Sequence, residues 1–141
     1  MFHRRRRSTV AALGRLVSLA GLGSAVAGAV AWATVSSRLA GEKIVVPDGA
    51  PHLGGRPVRG PLTAFAQAEA INGIAMKATG GRVYAELDQD DPAAETARVA
   101  SFLRASLFTS VLAFGVAAGQ MAVGLVLMLI GKALRETGDR L

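Results

Sequence analysis

Two long segments without a formal charge constrain the fold of this chain more than any other feature. Residues 16–37 and 105–131 contain no Asp, Glu, Lys, Arg or His, and each segment is bounded on both sides by Arg or Lys. As helices, their 22 and 27 residues would be about 33 and 40 Å long. A hydrocarbon core is about 30 Å thick. The sequence therefore predicts an α-helical membrane hairpin, with transmembrane helix 1 at residues 16–37 and transmembrane helix 2 at residues 105–131.

Charge is divided unevenly among the remaining parts of the chain. The tails, residues 1–15 and 132–141, carry eight basic and two acidic residues, which accounts for the whole net charge of +6. The connector, residues 38–104, carries eight residues of each sign. Because basic residues concentrate on the cytoplasmic side of membrane proteins, we expect a cell membrane protein with both tails in the cytoplasm and the connector outside.

The basic tails also indicate a class of partner. Each basic residue near a bilayer surface gains about 1 kcal/mol from anionic lipids, so we expect the tails to meet anionic headgroups. We expect no nucleic-acid partner, because the basic residues lie at membrane boundaries and do not form a patch on a globular face.

The first segment has a second interpretation, a cleaved secretory signal peptide. Four consecutive arginines lie near the start of the chain, and Ala31-Trp32-Ala33 matches an A-x-A cleavage site. The apolar stretch is longer than the roughly 7–15 residues of most signal peptides, which favours an uncleaved anchor. Both interpretations place the connector outside.

Small residues in the predicted spans indicate helix packing. In the second span, Gly115 and Gly119 form a GxxxG pair, and Gln120 and Ala122 follow. Small residues let helix backbones approach closely, and an amide in lipid needs a hydrogen-bond partner. We expect these four residues to pack against the first helix, a second copy or another membrane protein. The first span has the same spacing between Gly21 and Ala25, Gly23 and Ala27, and Ser24 and Gly28.

The connector is predicted to form a small extracytoplasmic α+β domain of strand, helix and strand. Residues 44–46 are Ile-Val-Val, a short β-branched run that predicts the first strand. An alanine-rich helix is predicted over residues 62–78, opened by Pro61 and closed by the Gly80-Gly81 pair. Residues 82–87 alternate apolar and polar side chains and predict the second strand.

The last helix is predicted to begin before the second span. Asp91 can accept hydrogen bonds from the first backbone amides of a helix, and Pro92 suits its first position. No helix breaker follows, so we expect one helix from about Pro92 to about Leu134, continuous with the span.

Few connector residues indicate site chemistry. Arg56 and Arg59, with the backbone amides around them, form a candidate anion site at a helix start. Residues 88–91 contain three aspartates but lack the glycine and downstream glutamate of a calcium loop, so we expect them to cap a helix. The chain has no cysteine, and His52 is the one histidine of the connector. We expect no metal site, no cofactor and no enzymatic activity.

Short motifs lie at residues 59–64, 67–68, 79–81 and 83–88 and are followed by the terminal apolar segment. With them, residues 44–132 resemble a group of small actinobacterial two-pass membrane proteins. Some proteins of this group carry a label as aromatic ring-opening dioxygenases. Such enzymes hold iron with two histidines and a carboxylate, and this connector has one histidine. The resemblance therefore implies an architecture and an actinobacterial cell membrane, but no activity and no site residues.

The patterns together predict a non-catalytic integral membrane protein. Its expected role is that of an accessory or assembly subunit that packs against a larger membrane complex through residues 115–122. The alternative is an extracytoplasmic binding module that presents Arg56 and Arg59 to an anionic envelope lipid or glycan.

Overall fold

The structure, a computed structural model, describes the backbone of residues 2–140 and the side chains of residues 9–139. Its helices are α1 at Phe2–Gly41, α2 at Pro61–Ala78 and α3 at Ala94–Arg140. At 1.5 Å per residue, α1 and α3 are about 60 and 70 Å long, so each extends past its apolar segment at both ends. The side chains of residues 4–7, which were expected to meet anionic lipids, lie outside the described residues.

Both long helices contain a stretch that is long and apolar enough to cross a membrane. Mean hydropathy reaches 1.7 in Thr9–Gly41 and 2.1 in Ala94–Asp139, and only 11% and 17% of these most apolar windows are buried within the chain. The core helix of a soluble protein buries most of such a surface. This chain therefore leaves most of the surface of both apolar stretches uncovered.

The chain divides into two compact units. The helix-pair unit consists of Met1–Ala33 and Val116–Leu141, and the connector unit consists of Thr34–Gly115. In the helix-pair unit, α1 and α3 run antiparallel and contact each other through small residues. In the connector unit, α2 packs through buried alanines and lies along the first turns of α3.

The strand predicted at residues 44–46 is wrong, because only one antiparallel bridge forms, between Val45 and Pro57. On either side of it, the Val46 N–H donates to the Arg56 carbonyl and the Val58 N–H donates to the Ile44 carbonyl, both at 2.9 Å. The next residue, a proline, has no N–H to continue the ladder. The pairing therefore ends after one bridge, although Val46 and Val58 are fully buried.

The strand predicted at residues 82–87 is also wrong, because Tyr84–Glu86 form a 3₁₀ turn. The Val83 N–H donates to the Glu86 carboxylate at 2.9 Å, and the Glu86 N–H donates back to the Val83 carbonyl at 2.9 Å. These local bonds use the backbone groups that a strand would offer to a neighbour. Between α1 and α3, the described residues thus form α2, a 3₁₀ turn and loops, and the predicted α+β domain does not form.

The helix predicted over residues 62–78 is confirmed by α2. Its C-terminal end has the expected glycine cap: the Gly81 N–H donates to the Met76 carbonyl at 2.8 Å, and Gly80 and Gly81 have φ angles of 64° and 85°. Glycine adopts this left-handed conformation without strain.

The final helix begins two residues later than predicted and continues further. Residues 91–93 form a turn in which the Ala94 N–H donates to the Asp91 carbonyl at 2.9 Å. From Ala94 the helix is continuous to Arg140, past the predicted end near Leu134.

Candidate functional site

Glycines bring the backbones of α1 and α3 into direct contact. A Cβ built on Gly14 would lie 2.7 Å from the carbonyl oxygen of Gly131, and one built on Gly28 would lie 2.6 Å from that of Ala117. Between them, a Cβ on Gly21 would lie 2.6 Å from the Gly124 carbonyl oxygen. Real Cβ atoms essentially never come within 3.0 Å of another heavy atom, so these positions accept only glycine at this separation of the helices. We call this contact the glycine seam.

The glycine seam follows a seven-residue repeat. Positions 14, 21 and 28 of α1 face positions 131, 124 and 117 of α3, and each is buried. A seven-residue repeat keeps one face of each helix toward the other along a coiled coil. The four-residue spacing used in the sequence prediction includes Gly21 and Gly28, but it does not identify Gly14, Gly124 or Gly131. The seven-residue spacing identifies all of them.

Serines on α1 add a polar element to the glycine seam. The Ser24 hydroxyl donates to the backbone carbonyl of Gln120 at 3.1 Å. Gln120 therefore contributes its backbone to this contact, while its residue surface is exposed. The Ser18 hydroxyl is buried beside Gly131, without a hydrogen-bond partner among the described residues.

Three of the four predicted packing residues on α3 lie away from the glycine seam. Cβ atoms built on Gly115 and Gly119 meet nothing within 4 Å, and Ala122 is exposed. At about 100° per residue, these three positions lie on the side of α3 opposite Ala117. Gln120 lies about 60° around α3 from Ala117 and about 100° from Gly119, so it is on the flank between the seam and this surface. We call Gly115, Gly119 and Ala122 the open face of α3.

Arg56 and Arg59 are both exposed, but the amides expected to complete an anion site are already used. The Arg59 and Gly60 N–H groups both donate to the Thr63 hydroxyl at 3.1 Å. The Arg56 N–H donates to the Leu53 carbonyl at 3.1 Å. This geometry leaves two guanidinium groups to hold an anion.

Asp91 ties the segment before the 3₁₀ turn to the start of α3. Its Oδ1 accepts from the Ala93 N–H, and its Oδ2 forms an ion pair with Arg82, both at 2.8 Å. The hydrogen bond from Ala93 and the nearby Arg82 guanidinium lower the pKa of Asp91 below its ordinary value of 3.8. In the part of the chain that the structure describes, no cluster of three His, Cys, Asp or Glu residues could hold a metal ion.

Two of the cavities within the connector unit lie near the segment that joins α1 to α2. One, of about 710 Å³, has Arg38 and Glu42 beside apolar side chains and Gln67. The other, of about 570 Å³, lies between the loop at His52 and Leu53 and the first turns of α2.

Comparisons with protein-family models, with curated proteins and with solved structures return no match to this chain.

Proposed function

We propose that this chain is a non-catalytic two-pass membrane protein that acts as an accessory or assembly subunit of a larger membrane complex. The observation that carries the proposal is the division of glycines along α3. Gly124 contacts α1 backbone to backbone, whereas Gly115 and Gly119 have open space at their Cβ positions. α3 thus retains a second surface on which a helix of a partner protein can approach closely.

The proposal places both termini in the cytoplasm and residues 38–104 outside the cell membrane. The excess of basic residues in the tails supports this orientation. A protease added to intact cells should cut the glycine- and proline-rich loop at residues 47–60. Cleavage of this loop from the cytoplasmic side alone would overturn the orientation.

The glycine seam supports retention of the first apolar segment as an anchor. Cleavage after Ala33 would remove Gly14, Gly21 and Gly28, and α3 would lose the contacts that these glycines make. The mass of the protein purified from membranes tests this point, because a cleaved signal peptide would remove about 33 residues.

Co-purification tests the accessory role. We propose Gly115→Leu and Gly119→Leu, which place a branched side chain on the open face, with purification from native membranes in mild detergent. Gly23→Leu is the matched control, because Gly23 is also a glycine of an apolar helix with nothing within 4 Å of its Cβ position. We expect the partner to be lost with the two α3 variants and retained with Gly23→Leu.

Equal partner recovery with all three variants would contradict the accessory role. Cross-linking separates the two kinds of partner: a product of twice the chain mass from purified protein would identify a second copy. Gln120→Leu tests the flank of α3 between the seam and the open face, where we expect a smaller loss because its side chain points about 100° away from Gly119.

The binding of an anionic lipid or glycan at Arg56 and Arg59 is the alternative function. It has less support, because the neighbouring amides are occupied within the chain. Undiminished lipid recovery after Arg56→Ala and Arg59→Ala would count against this alternative.

A further inference from the structure

The N-terminal end of α2 lies beside the start of the apolar segment of α3. The rings of Phe65 and Phe108 contact edge to face, with centroids 5.9 Å apart. Toward the other end of α2, Ala75 lines a cavity together with Val99. Residue numbers rise along α2 while the numbers of the neighbouring residues on α3 fall, so the two helices are antiparallel. The first turns of α2 are therefore the ones nearest the apolar segment.

The antiparallel arrangement allows the position of the first turn of α2 to be measured along α3, from the end of the apolar segment. Phe108 lies about 6 Å along α3 beyond Arg104, the residue that bounds the apolar segment. Leu62 precedes Phe65 by three residues, which adds about 4.5 Å. By the antiparallel register, Leu62 lies alongside a part of α3 about 10 Å inside the uncharged segment.

A second contact joins the start of α2 to the other apolar segment. The Ser36 hydroxyl donates to the Arg59 carbonyl at 2.7 Å, two residues before α2 begins. Ser36 lies in the last turn of the uncharged stretch at residues 16–37. Contacts with α1 and with α3 thus both place the start of α2 beside the uncharged segments, about 3 Å inside the first and about 10 Å inside the second.

The side chains at this level present apolar surface. Leu62 is 74% exposed and Phe65 is 49% exposed, and Leu53 on the adjoining loop is exposed as well. Helical periodicity places Leu62 and Phe65 on one strip with the exposed Glu69, which lies a turn further from the apolar segments. Apolar side chains at the deep end of a strip and a carboxylate at the shallow end match the polarity gradient of a bilayer surface.

Arginines lie where lipid headgroups would meet this region. The guanidinium of Arg104 lies 5.9 Å from the centre of the Phe108 ring. Arg38 and Arg59 are exposed, and among the described residues neither forms an ion pair. Arginine side chains can extend along apolar surface and place their charge among phosphates.

We propose that the first two turns of α2 and the adjoining loop at Leu53 form an interfacial membrane anchor. Leu62 and Phe65 insert among acyl chains at the connector side of the bilayer, and the C-terminal half of α2 remains in water. The proposal rests on the membrane insertion of α1 and α3, and it adds a third membrane-contacting element to the two spans. Its partner is the lipid bilayer itself.

The chain has no cysteine, so single cysteines can carry an environment-sensitive fluorophore without background labelling. We propose Leu62→Cys and Phe65→Cys in the full chain, reconstituted in vesicles of phosphatidylethanolamine and phosphatidylglycerol. Lys77→Cys, near the other end of α2, is the control for water. Val116→Cys, at a residue of the apolar segment that is 72% exposed, is the control for lipid.

We expect the labels at positions 62 and 65 to emit at shorter wavelength than the label at position 77. They should also be quenched by spin-labelled acyl chains and show several-fold weaker quenching by aqueous iodide. Leu62→Cys keeps the test valid if Phe65→Cys disturbs the contact with Phe108.

Strong iodide quenching at position 62 together with lipid quenching at position 116 would overturn the anchor and leave the two-pass proposal intact. That result would mean that Leu62 faces water, or a protein partner missing from the vesicles. Strong iodide quenching at position 116 would instead overturn the membrane insertion on which both proposals rest.

Discussion

Gly21 and Gly124 meet backbone to backbone. A Cβ on Gly21 would lie 2.6 Å from the Gly124 carbonyl oxygen, and a Cβ on Gly124 would lie 2.5 Å from the Gly21 carbonyl oxygen. In lipid, no hydrophobic force draws apolar helices together, so close packing must supply the attraction. Glycine Cα–H groups that face carbonyl oxygens add weak hydrogen bonds worth about 0.5–1 kcal/mol each. Backbone contacts at glycines therefore help to hold α1 against α3.

Substitution in the glycine seam should separate the helices. We expect Gly21→Ala to destabilise the helix pair by about 1–3 kcal/mol, because the added methyl group overlaps the α3 backbone. Thermal unfolding in detergent measures the change. Gly23→Ala is the control, since its Cβ position is open and alanine favours a helix over glycine by about 1 kcal/mol. Equal effects of the two substitutions would show that the seam is not a close contact.

Removal of the Ser24 hydroxyl should weaken the same helix pair by a smaller amount. Hydrogen bonds between membrane helices contribute about 0.6 kcal/mol on average, and we expect a loss of this size for Ser24→Ala. Ser110→Ala is the control, because the Ser110 hydroxyl donates to the Ser106 carbonyl of its own helix. A similar loss in the control would assign the effect to the single helix and not to the contact.

Thr63 should be important for the start of α2. Its hydroxyl accepts from the Arg59 and Gly60 N–H groups and donates to the Gly60 carbonyl at 3.0 Å. We expect Thr63→Val, which has nearly the same shape, to destabilise the connector by about 1 kcal/mol, as the loss of a helix cap does. Faster proteolysis of the preceding loop would report the change. Thr96→Val, at an exposed position of α3, should leave the rate unaltered.

Connector stability should fall in acid through Asp91. The Ala93 amide and Arg82 lower the pKa of this carboxyl in the folded state. Its contribution is therefore fully present above the unfolded-state pKa and is lost as the pH falls through the lower folded-state pKa. We expect Asp91→Asn to be less stable than the parent chain at pH 6, with a difference that shrinks toward pH 3.

The measurement for Asp91 is thermal unfolding at a series of pH values. Asp90→Asn is the matched control, because Asp90 is exposed and forms no ion pair among the described residues. A constant difference between the Asp91→Asn chain and the parent at every pH would contradict the proposed linkage.

The predictions that depended on local signals agree with the structure. Pro61 at the start of α2, Gly80-Gly81 at its end and the unbroken run after Asp91 each act on the backbone within a few residues. The predicted strands were wrong, because a strand needs a neighbour with free backbone groups. The pairing of residues 44–46 ends at Pro47 after one bridge. The Val83 N–H donates to the Glu86 side chain instead of to a neighbouring strand.

The sequence by itself determined two apolar helices, a charge-balanced connector and the position of α2, since length, polarity and helix caps act locally. Only the tertiary structure decided which small residues meet. Gly14, Gly21 and Gly28 face α3, whereas Gly115 and Gly119 remain open. The physical reason is that glycine permits close approach on any face of a helix, and the rotation of two helices about their axes selects the face that is used.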